Sequence, residues 1–187
     1  MVLPVGLVHY KWGLGSGKTT SIIGLLIRAT GQGLRAAMIQ FLKCTIECNG
    51  SPFSSGEWAY FQSTTSSLNP ILIRQFGRTG FILPDEGPHQ EDYDLAREGL
   101  EFARSLIQSG EYDLIALDEI VDTVYFGLLD ITEIVDLIKN KPENLELVIA
   151  GHFNYPEIFE IADYVTEFQP MKHPYAQGII ARKGIEY

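Results

Sequence analysis

The sequence predicts an α/β fold, with a mostly parallel sheet and helices on both faces. Short apolar runs alternate along the chain with helical segments that carry one apolar face, and a glycine-rich turn joins the first run to the first helix. The chain has 187 residues, of which 45% are hydrophobic, and this is enough for a sizeable core. We therefore expect residues 1–187 to form a single domain.

The first elements flank the glycine-rich turn. Residues 5–10 are an apolar run typical of a buried strand, and residues 19–30 place isoleucine and leucine side chains on one helix face. Gly31 and Gly33 can end this helix, because glycine readily adopts the left-handed conformation that closes a helix. The apolar run at 35–42 then predicts the second strand.

The alternation of strands and helices continues along the chain. Strands are predicted at 71–76, 114–118, 145–150 and 164–168, and helices at 92–109, 132–140 and 157–162. Asp92 and Asp130 can cap two of these helices, because a carboxylate accepts hydrogen bonds from the free N–H groups at a helix start. Two polar segments, 45–69 and 78–90, predict long surface loops at the ligand-binding edge of the sheet.

The charge and composition narrow the classes of ligand and location. Twenty-four acidic and 14 basic residues give a net charge of -10, which disfavours binding to nucleic acid or to an anionic membrane. No apolar run approaches the roughly 18 residues of a membrane span, and no signal peptide is evident. We expect small-molecule ligands and a cytoplasmic protein. Cys44 and Cys48 have no second pair to complete a zinc site, and they are expected to be reduced thiols.

The glycine-rich turn predicts a site for a polyphosphate. It reads Gly13-Leu14-Gly15-Ser16-Gly17-Lys18-Thr19-Thr20. Its glycines let backbone N–H groups point at phosphate oxygens, and the helix that follows adds its positive N-terminal end. Lys18 would supply a point charge, and Thr19 a ligand to Mg²⁺. Trp12 stands where a common phosphate loop has its first glycine, so this loop is one residue tighter. The alternative is a glycine-rich turn that precedes Lys-Thr by chance.

Polar residues at other strand ends predict further site residues. Asp118 and Glu119 end an apolar strand, where a carboxylate could bind Mg²⁺ directly or through water. The alternative is an acidic turn that meets solvent. Gln40 and Lys43 end a second strand at the same edge, although Lys43 could equally be solvated. His152 ends a third strand and could contact a nucleotide or a local backbone group.

Several of these motifs occur together with a distinctive C-terminal stretch. They are residues 13–20, Gln40-Phe41, Leu117-Asp118-Glu119, Lys172-His173-Pro174 and Ala181-Arg182-Lys183-Gly184-Ile185-Glu186-Tyr187. In this combination and order, the chain resembles the ATP:corrinoid adenosyltransferase family of the phosphate-loop type. The likeness runs nearly from end to end. It implies a RecA-like phosphate-loop fold.

The resemblance also implies an activity and its ligands. Members of this family transfer the 5′-deoxyadenosyl group of ATP to the Co(I) of a corrinoid and release triphosphate, with ATP held in the reverse of the usual sense. By likeness, the phosphate loop with Lys18, Thr19 and Thr20 would bind the triphosphate, Gln40 would contact the nucleotide, and Thr19 with Glu119 would hold Mg²⁺. Asp118 is a second candidate metal ligand. The family further implies a homodimer and a reduced flavoprotein as electron donor.

The resemblance also implies a role for a second loop. In this family, apolar side chains of a Gly-Phe-Thr-Trp segment exclude the lower axial ligand of the corrinoid and favour four-coordinate Co(II). Here residues 80–83 keep Phe81 but have Leu83 in place of tryptophan. Lys18 and Phe81 are therefore the expected catalytic residues.

Departures from the pattern of the family include Leu14, Ser16, Leu83 and His152. Each substitution removes a polar, charged or aromatic group, although His152 could in part replace an arginine. Two alternatives therefore stand beside the transferase. One is a nucleotide- or corrinoid-binding regulator with weakened catalysis. The other is a phosphate-loop kinase or ATPase, for which the scattered Arg74, Arg78, Arg97 and Arg104 form no clear lid.

Overall fold

The structure is a computed structural model that describes residues 3–44, 56–63 and 70–186. Its strands are β1 (Val8–Trp12), β2 (Ala36–Phe41), β3 (Leu72–Phe76), β4 (Leu114–Asp118), β5 (Glu146–Gly151) and β6 (Tyr164–Glu167). Its helices are α1 (Lys18–Gly31), α2 (Gly56–Ser63), α3 (Gln90–Ser109), α4 (Ile120–Tyr125), α5 (Ile131–Lys139) and α6 (Pro156–Phe159). A short 3₁₀ helix covers Pro174–Gln177.

The six strands form one sheet in the order β3-β2-β4-β5-β1-β6, and every neighbouring pair is parallel. The α/β fold predicted from the alternating pattern is thus confirmed. Strand β5 separates β1, which leads into the glycine-rich loop, from β4, which ends in Asp118. This order agrees with the expected RecA-like arrangement. It places the two predicted halves of the site at the same carboxyl edge of the sheet.

Both faces of the sheet are covered, so its central strands are apolar on both sides. Met38, Ala116 and Val148 point toward α1, where Ile22 and Leu26 are fully buried. The alternate residues of the same strands face the other layer, which includes Leu100 of α3 and Ile134 of α5. These alternate residues include Ile39, Leu117 and Ile149. This two-sided burial explains why the strand sequences are continuous apolar runs.

A glycine sets the spacing between α3 and the sheet. A Cβ atom on Gly99 would lie 2.8 Å from the ring of Phe41 and 3.0 Å from that of Phe76. Both distances are shorter than ordinary van der Waals contact. The helix can therefore pack closely over the ends of β2 and β3 only because residue 99 lacks a side chain.

The structure differs from the sequence prediction at several places. Strand β1 begins at Val8, and α4 was not predicted, because six residues are too few to show a helical period. Asp92 is not the cap of α3. It is the third residue of the helix, in the first turn, where its carboxylate accepts a hydrogen bond from the backbone N–H of His89, the N-cap, at 2.8 Å. Asp130, by contrast, is the N-cap of α5, as predicted.

Two further predictions concern the segment after β2. Part of the loop predicted at 45–69 is helical, because α2 lies within it, and its remaining residues lie outside those described. Cys44 is disulfide-bonded, so the predicted free thiol is wrong for that residue, whereas Cys48 lies outside the described residues. Within residues 3–44, 56–63 and 70–186, no helix is both long enough and apolar enough to cross a bilayer.

Candidate active site

The glycine-rich loop is closed against the end of β6. Gly13 and Gly17 have φ angles of 120° and 102°, which favour glycine. A Cβ atom on Gly13 would lie 2.4 Å from the carbonyl oxygen of Phe168, and Gly15 donates its N–H to that same oxygen at 2.7 Å. Glycines are therefore required here both for backbone conformation and for close approach. Leu14 and Ser16, the departures in this loop, are exposed.

Lys18 folds back over the loop. Its ammonium group donates to the carbonyl oxygens of Gly13 at 2.5 Å and Gly15 at 3.1 Å. Burial lowers the pKa of Lys18, and the carboxylates of Asp122 and Glu119 partly oppose that effect. The charge is therefore held at the mouth of the loop, where an anion could replace the two carbonyl groups as its partner.

A cluster of oxygen atoms lies beside the start of α1. Thr19 donates from Oγ1 to Asp118 Oδ2 at 2.9 Å. The ammonium group of Lys43 lies 3.0 Å from the same Asp118 oxygen, 3.4 Å from Thr19 Oγ1 and 3.5 Å from Glu119 Oε1. Lys43 is thus ion-paired with Asp118 and Glu119, and the alternative of a freely solvated Lys43 is wrong.

The ionisation of this cluster follows from its burial and charge. Burial raises the pKa of Glu119, and Lys43 opposes this effect while Asp118 adds to it. Burial acts on Lys43 in the direction of a lower pKa, but Asp118 and Glu119 together outweigh it and the net pKa of Lys43 is raised. The ammonium group therefore remains charged and balances the two adjacent carboxyl groups.

The same cluster contains the residues predicted to bind magnesium. Lys43 places a positive charge among three oxygen atoms, from Thr19, Asp118 and Glu119, and these are donors of the kind that Mg²⁺ prefers. No group of three or more His, Cys, Asp and Glu side chains suited to a metal occurs among the described residues. The donor set fits a metal that also takes phosphate oxygens and water, as Mg²⁺ usually does in nucleotide sites.

Gln40, predicted to contact the nucleotide, is fully buried. Its side-chain amide donates to Asp118 Oδ2 at 3.2 Å, and its carbonyl oxygen accepts from Gln75 at 2.8 Å. These contacts orient the Asp118 carboxylate from the side of β2. Gln75 was not singled out in the sequence, although its place near the end of β3, beside β2, is the signal that could have identified it.

A cavity of about 800 Å³ opens at this edge of the sheet. Its lining includes Leu14 of the loop, Lys43 and Glu119 of the oxygen cluster, and Asp122 and His152. It also includes residues 78–82 and aromatic side chains from two further elements. These are Phe126 after α4 and Phe153 after β5. The cavity therefore joins the phosphate loop to the predicted Phe81 loop.

The Phe81 loop is held by an arginine clamp. Nε of Arg78 lies 2.9 Å from both carboxylate oxygens of Asp92, which is almost completely buried. The two terminal nitrogens of Arg78 donate to the carbonyl oxygens of Thr79 and Phe81, each at 3.2 Å. Phe81 lines the cavity with 68% of its surface exposed. Arg78 stood in the sequence only as one of four scattered arginines, so this clamp was missed.

The lining includes Phe81 and Ile82, whereas Leu83, with 48% of its surface exposed, does not belong to it. Leu83 occupies the position that the resemblance assigns to tryptophan. The structure therefore places Phe81 at the cavity but leaves Leu83 outside its lining. Thr20, also predicted to bind the triphosphate, is exposed on the first turn of α1.

A contact between a histidine and a carboxylate lies on the wall of the same cavity. Asp122 of α4 is buried and accepts from the backbone N–H of His152 at 2.8 Å, and its other oxygen lies 3.0 Å from Nδ1 of the same residue. Neither alternative considered for His152 included this side-chain partner. Asp122 was missed because α4 was missed, although its position four residues after Asp118 places it in the turn that follows.

The chain is similar to known proteins over nearly its whole length. A family model described as ATP:corrinoid adenosyltransferase BtuR/CobO/CobP matches residues 5–187. The corrinoid adenosyltransferase of Escherichia coli (strain K12) is 30% identical over 183 residues, which cover 97% of this chain and 86% of that protein. The corrinoid adenosyltransferases of a Sinorhizobium species and of Pseudomonas aeruginosa are each 29% identical. Their matches cover 97% of this chain and 80% and 82% of those proteins.

Proposed function

The chain belongs to the ATP:corrinoid adenosyltransferase family, and we propose that it transfers the 5′-deoxyadenosyl group of ATP to the Co(I) of a corrinoid. The electron pair of Co(I) forms the bond to the 5′ carbon. The bond from that carbon to the triphosphate oxygen breaks, and its electron pair leaves with inorganic triphosphate. Cobalt is formally oxidised to Co(III), so the step needs no further oxidant.

The continuous cavity is the observation that carries this proposal. One space of about 800 Å³ is lined both by the phosphate loop, through Leu14, and by the aromatic side chains of Phe81, Phe126 and Phe153. A loop suited to triphosphate and an apolar wall suited to a large planar ring therefore face the same volume. A phosphoryl transferase needs the first feature but not the second.

The chemistry asks the protein to align the reactants and to stabilise the leaving group. We assign the leaving triphosphate to the backbone of residues 13–17 together with Lys18, Thr19 and Thr20, with the N–H of Gly15 used to hold the loop against Phe168. Lys18 supports this assignment because its charge is already held over the loop by two carbonyl oxygens. Exchange of those carbonyl groups for phosphate oxygens would leave the ammonium group fully paired.

We further assign the Mg²⁺ ligands to Thr19 and Glu119, with Asp118 as the second carboxylate. When bound, Mg²⁺ would neutralise part of the charge of the triphosphate. Lys43 supports the assignment because its ammonium group already lies among the oxygen atoms of these three residues. We propose that Gln40 acts on the nucleotide site by orienting Asp118, to which it donates a hydrogen bond.

We assign Phe81 to the face of the corrinoid from which the lower axial ligand is displaced. Its exposed ring on the cavity wall and the clamp on its backbone carbonyl support this role. A side chain with this function must be apolar and must hold its position without being buried in the core. Both requirements are met by an aromatic ring on a loop fixed by Arg78.

The contacts of four arginines argue against a kinase or ATPase, which would need an arginine on a mobile lid. Arg78 is clamped by Asp92, and Arg97 contacts Glu133. Arg104 lies 3.8 Å from Glu101, and Arg74 packs over the ring of Phe102. Each of these arginines is thus engaged within the fold, and none is presented to the phosphate loop by the contacts that it makes.

Other features of the proposal rest on the family resemblance and on composition. We propose a cytoplasmic homodimer in which residues 1–187 act as one phosphate-loop domain and a reduced flavoprotein supplies electrons. The net charge of -10 supports small-molecule ligands over nucleic acid. It also means that an acidic electron donor must dock on a locally less acidic surface.

Product analysis tests the proposed reaction. The purified protein is incubated anaerobically with chemically reduced cob(I)alamin, ATP and Mg²⁺, and both the visible spectrum and the phosphate products are recorded. We expect a cobalt–carbon spectral change together with one triphosphate for each cobalamin alkylated. Formation of ADP and phosphate would instead indicate a kinase or ATPase, and saturable ATP binding with no product would indicate the regulator.

A further inference from the structure

His152 lies on the wall of the cavity that Leu14 of the phosphate loop also lines, with one ring nitrogen engaged and the other open. Nδ1 lies 3.0 Å from Asp122 Oδ2, and the backbone N–H of His152 donates to the other carboxylate oxygen at 2.8 Å. Nε2 has no hydrogen-bond partner among the residues that the structure describes. The side chain is 42% exposed and lines the cavity. The ring therefore offers one polar atom to a ligand.

The position of Asp122 makes this geometry specific. Its side chain is only 4% exposed, and two donors from one residue satisfy its two oxygens. Gly151 allows the close approach, because a Cβ atom there would lie 2.3 Å from Val121 and 3.0 Å from Asp122 Oδ2. The Asp122 carboxylate accepts a hydrogen bond from Nδ1–H. Nε2 is therefore an acceptor in the neutral ring and a donor in the charged ring.

We propose that His152, positioned by Asp122, is a proton-dependent contact to the triphosphate outside the phosphate loop. The inference rests on the proposed function, since it assigns a residue to the leaving group of that reaction. A phosphate oxygen repels the lone pair of a neutral Nε2 but accepts a hydrogen bond from the imidazolium. Triphosphate binding should therefore favour uptake of one proton by this ring.

The charges around the ring determine how readily it is protonated. The hydrogen bond to Asp122 raises the pKa of His152, and partial burial opposes it. Among the described elements, Lys18 of α1 acts to lower the pKa, and Glu119 at the start of α4 acts to raise it. The pKa of His152 is raised overall, and the hydrogen bond to Asp122 is the main cause.

Lys18 cannot supply the proton-dependent contact to triphosphate that we propose for His152. The ammonium group of Lys18 already donates to two backbone carbonyl oxygens, so it can pair with triphosphate without taking up a proton. A contact through His152 adds a second, titrating charge from the residue that follows β5, separate from the charge that α1 supplies. Affinity for triphosphate should then fall as the pH rises through the pKa of His152.

Calorimetric titration with inorganic triphosphate and Mg²⁺ tests this inference without the cobalt reaction. Three proteins are compared between about pH 6 and pH 9, the wild type, His152→Gln and His152→Arg. The permanently charged arginine variant also corrects for the titration of triphosphate itself. At the acidic end, His152→Gln should bind about tenfold more weakly than the wild type, as expected for the loss of a charged hydrogen bond. At the basic end the two should converge.

Proton uptake gives an independent readout. Binding is repeated in two buffers of different ionisation enthalpy, and the wild type should take up more protons than His152→Arg at pH values between the His152 pKa of the free protein and that of the complex. Asp122→Asn should shift the pH profile of the wild type to lower pH, because it removes the group that favours the charged ring. If this variant does not fold, the two His152 variants still decide the question.

A matched control uses another histidine that is paired with a carboxylate. His9 lies 2.6 Å from Glu146, at the amino-terminal part of β1, and His9→Gln should leave the profile unchanged. Identical pH profiles for wild type, His152→Gln and His152→Arg would overturn the inference while leaving adenosyl transfer intact. If the wild type neither binds triphosphate nor alkylates cobalamin, the proposed function itself fails.

Discussion

Arg78 binds Asp92 through a nitrogen that is 2.9 Å from each carboxylate oxygen, and the same guanidinium group holds the backbone carbonyl of Phe81. The contact thereby links the first turn of α3 to the loop that carries an exposed aromatic ring. Side-chain exposures of 15% and 3% show that water has little access to this pair. The loop is therefore held by a buried ionic contact.

Replacement of Arg78 should release this loop. We expect Arg78→Met to lower the free energy of unfolding by about 3 kcal/mol, because it leaves the Asp92 carboxylate buried without its cation. The variant should also reduce the fraction of four-coordinate Co(II) in bound cob(II)alamin, measured by electron paramagnetic resonance with ATP present. ATP binding itself should be unchanged.

A surface arginine on α3 provides the control. Arg97 contacts Glu133, but its side chain is 52% exposed, and Arg97→Met should change neither stability nor the cobalt spectrum appreciably. Equal effects of the two substitutions on the cobalt spectrum would show that Arg78 has no particular role in the loop.

Substitutions at Phe81 and at Leu83 should change the four-coordinate fraction of bound Co(II) in opposite directions. Phe81→Ala should lower the four-coordinate fraction about threefold, which corresponds to the loss of an aromatic contact of roughly 0.5–1.5 kcal/mol. Leu83→Trp should raise it if the larger ring reaches the cavity from its present exposed position. The same resonance measurement reports both changes.

An aromatic residue that does not line the cavity serves as reference. Tyr93 on α3 is 39% exposed, and Tyr93→Ala should leave the spectrum unchanged. A normal four-coordinate fraction in Phe81→Ala would exclude the ring from this role. No change in Leu83→Trp would mean that position 83 stays outside the cavity when the corrinoid binds.

Lys43 should compete with the proposed metal. Lys43→Met removes the cation between Asp118 and Glu119, and we expect the free energy of unfolding to fall by about 2–4 kcal/mol in the absence of metal. Mg²⁺ with inorganic triphosphate should restore more stability to this variant than to the wild type, because a second cation then occupies the same oxygen cluster. Chemical denaturation with and without the two ligands measures the difference.

Lys11 is a suitable comparison, because its ammonium group lies 5.8 Å from the ring of Phe168 and not among the oxygens. Lys11→Met should show the same gain from Mg²⁺ as the wild type. If Lys43→Met gained no more than either protein, Mg²⁺ would not use the position marked by the Lys43 ammonium group.

Lys18 should be indispensable for transfer. We expect Lys18→Ala to lower kcat/KM for cobalamin alkylation by about 10²-fold or more, because a positioned charge on a leaving group is lost. Thermal unfolding establishes that the variant is folded, since Gly13 and Gly15 also lose the donor to their carbonyl oxygens.

Lys139 is exposed at the end of α5, and Lys139→Ala is the control because it removes the same charge. This variant should have normal turnover. Wild-type turnover in Lys18→Ala would remove the phosphate loop from the reaction altogether.

The Arg35–Asp113 pair should contribute acid-sensitive stability. Nη2 and Nε of Arg35 donate to the two carboxylate oxygens of Asp113 at 2.8 and 3.1 Å, and these bonds lower the pKa of Asp113. A carboxyl group with a depressed native pKa stabilises the fold above its unfolded value of about 3.9, and this stability is lost as the pH falls through the native value.

We therefore expect Asp113→Asn to be less stable than the wild type by about 1–3 kcal/mol at neutral pH, with the difference shrinking below about pH 4. Urea denaturation across that range measures it. Arg35→Met should show the same loss of acid dependence. Parallel stability curves for the three proteins would contradict the assignment.

The sheet, its first strand–loop–helix unit and the strand ending in Asp118 follow from local sequence patterns. Apolar runs and a glycine-rich turn act over a few residues, so they can be recognised without knowledge of the fold. The loop residues and Glu119 were identified on this basis. The sheet order then brings these separate strand ends to one edge.

The contacts of the site could not be inferred in the same way. Lys43 looks like an ordinary solvated lysine until the neighbouring strand places Asp118 within 3.0 Å. The side chains of Asp122 and His152 meet only because a short helix follows β4 and Gly151 lacks a side chain. Each of these relationships depends on packing between elements distant in sequence, and no local period encodes it.

The support of the phosphate loop by Phe168 has a consequence for the order of folding. The two segments in contact are 155 positions apart, from Gly13 to Phe168, although β1 and β6 are neighbours in the sheet. A growing chain must therefore complete almost the whole sheet before the loop can adopt its final curvature. We expect affinity for ATP to arise late during synthesis, when β6 docks along β1, so that incomplete chains neither sequester the nucleotide nor begin the reaction.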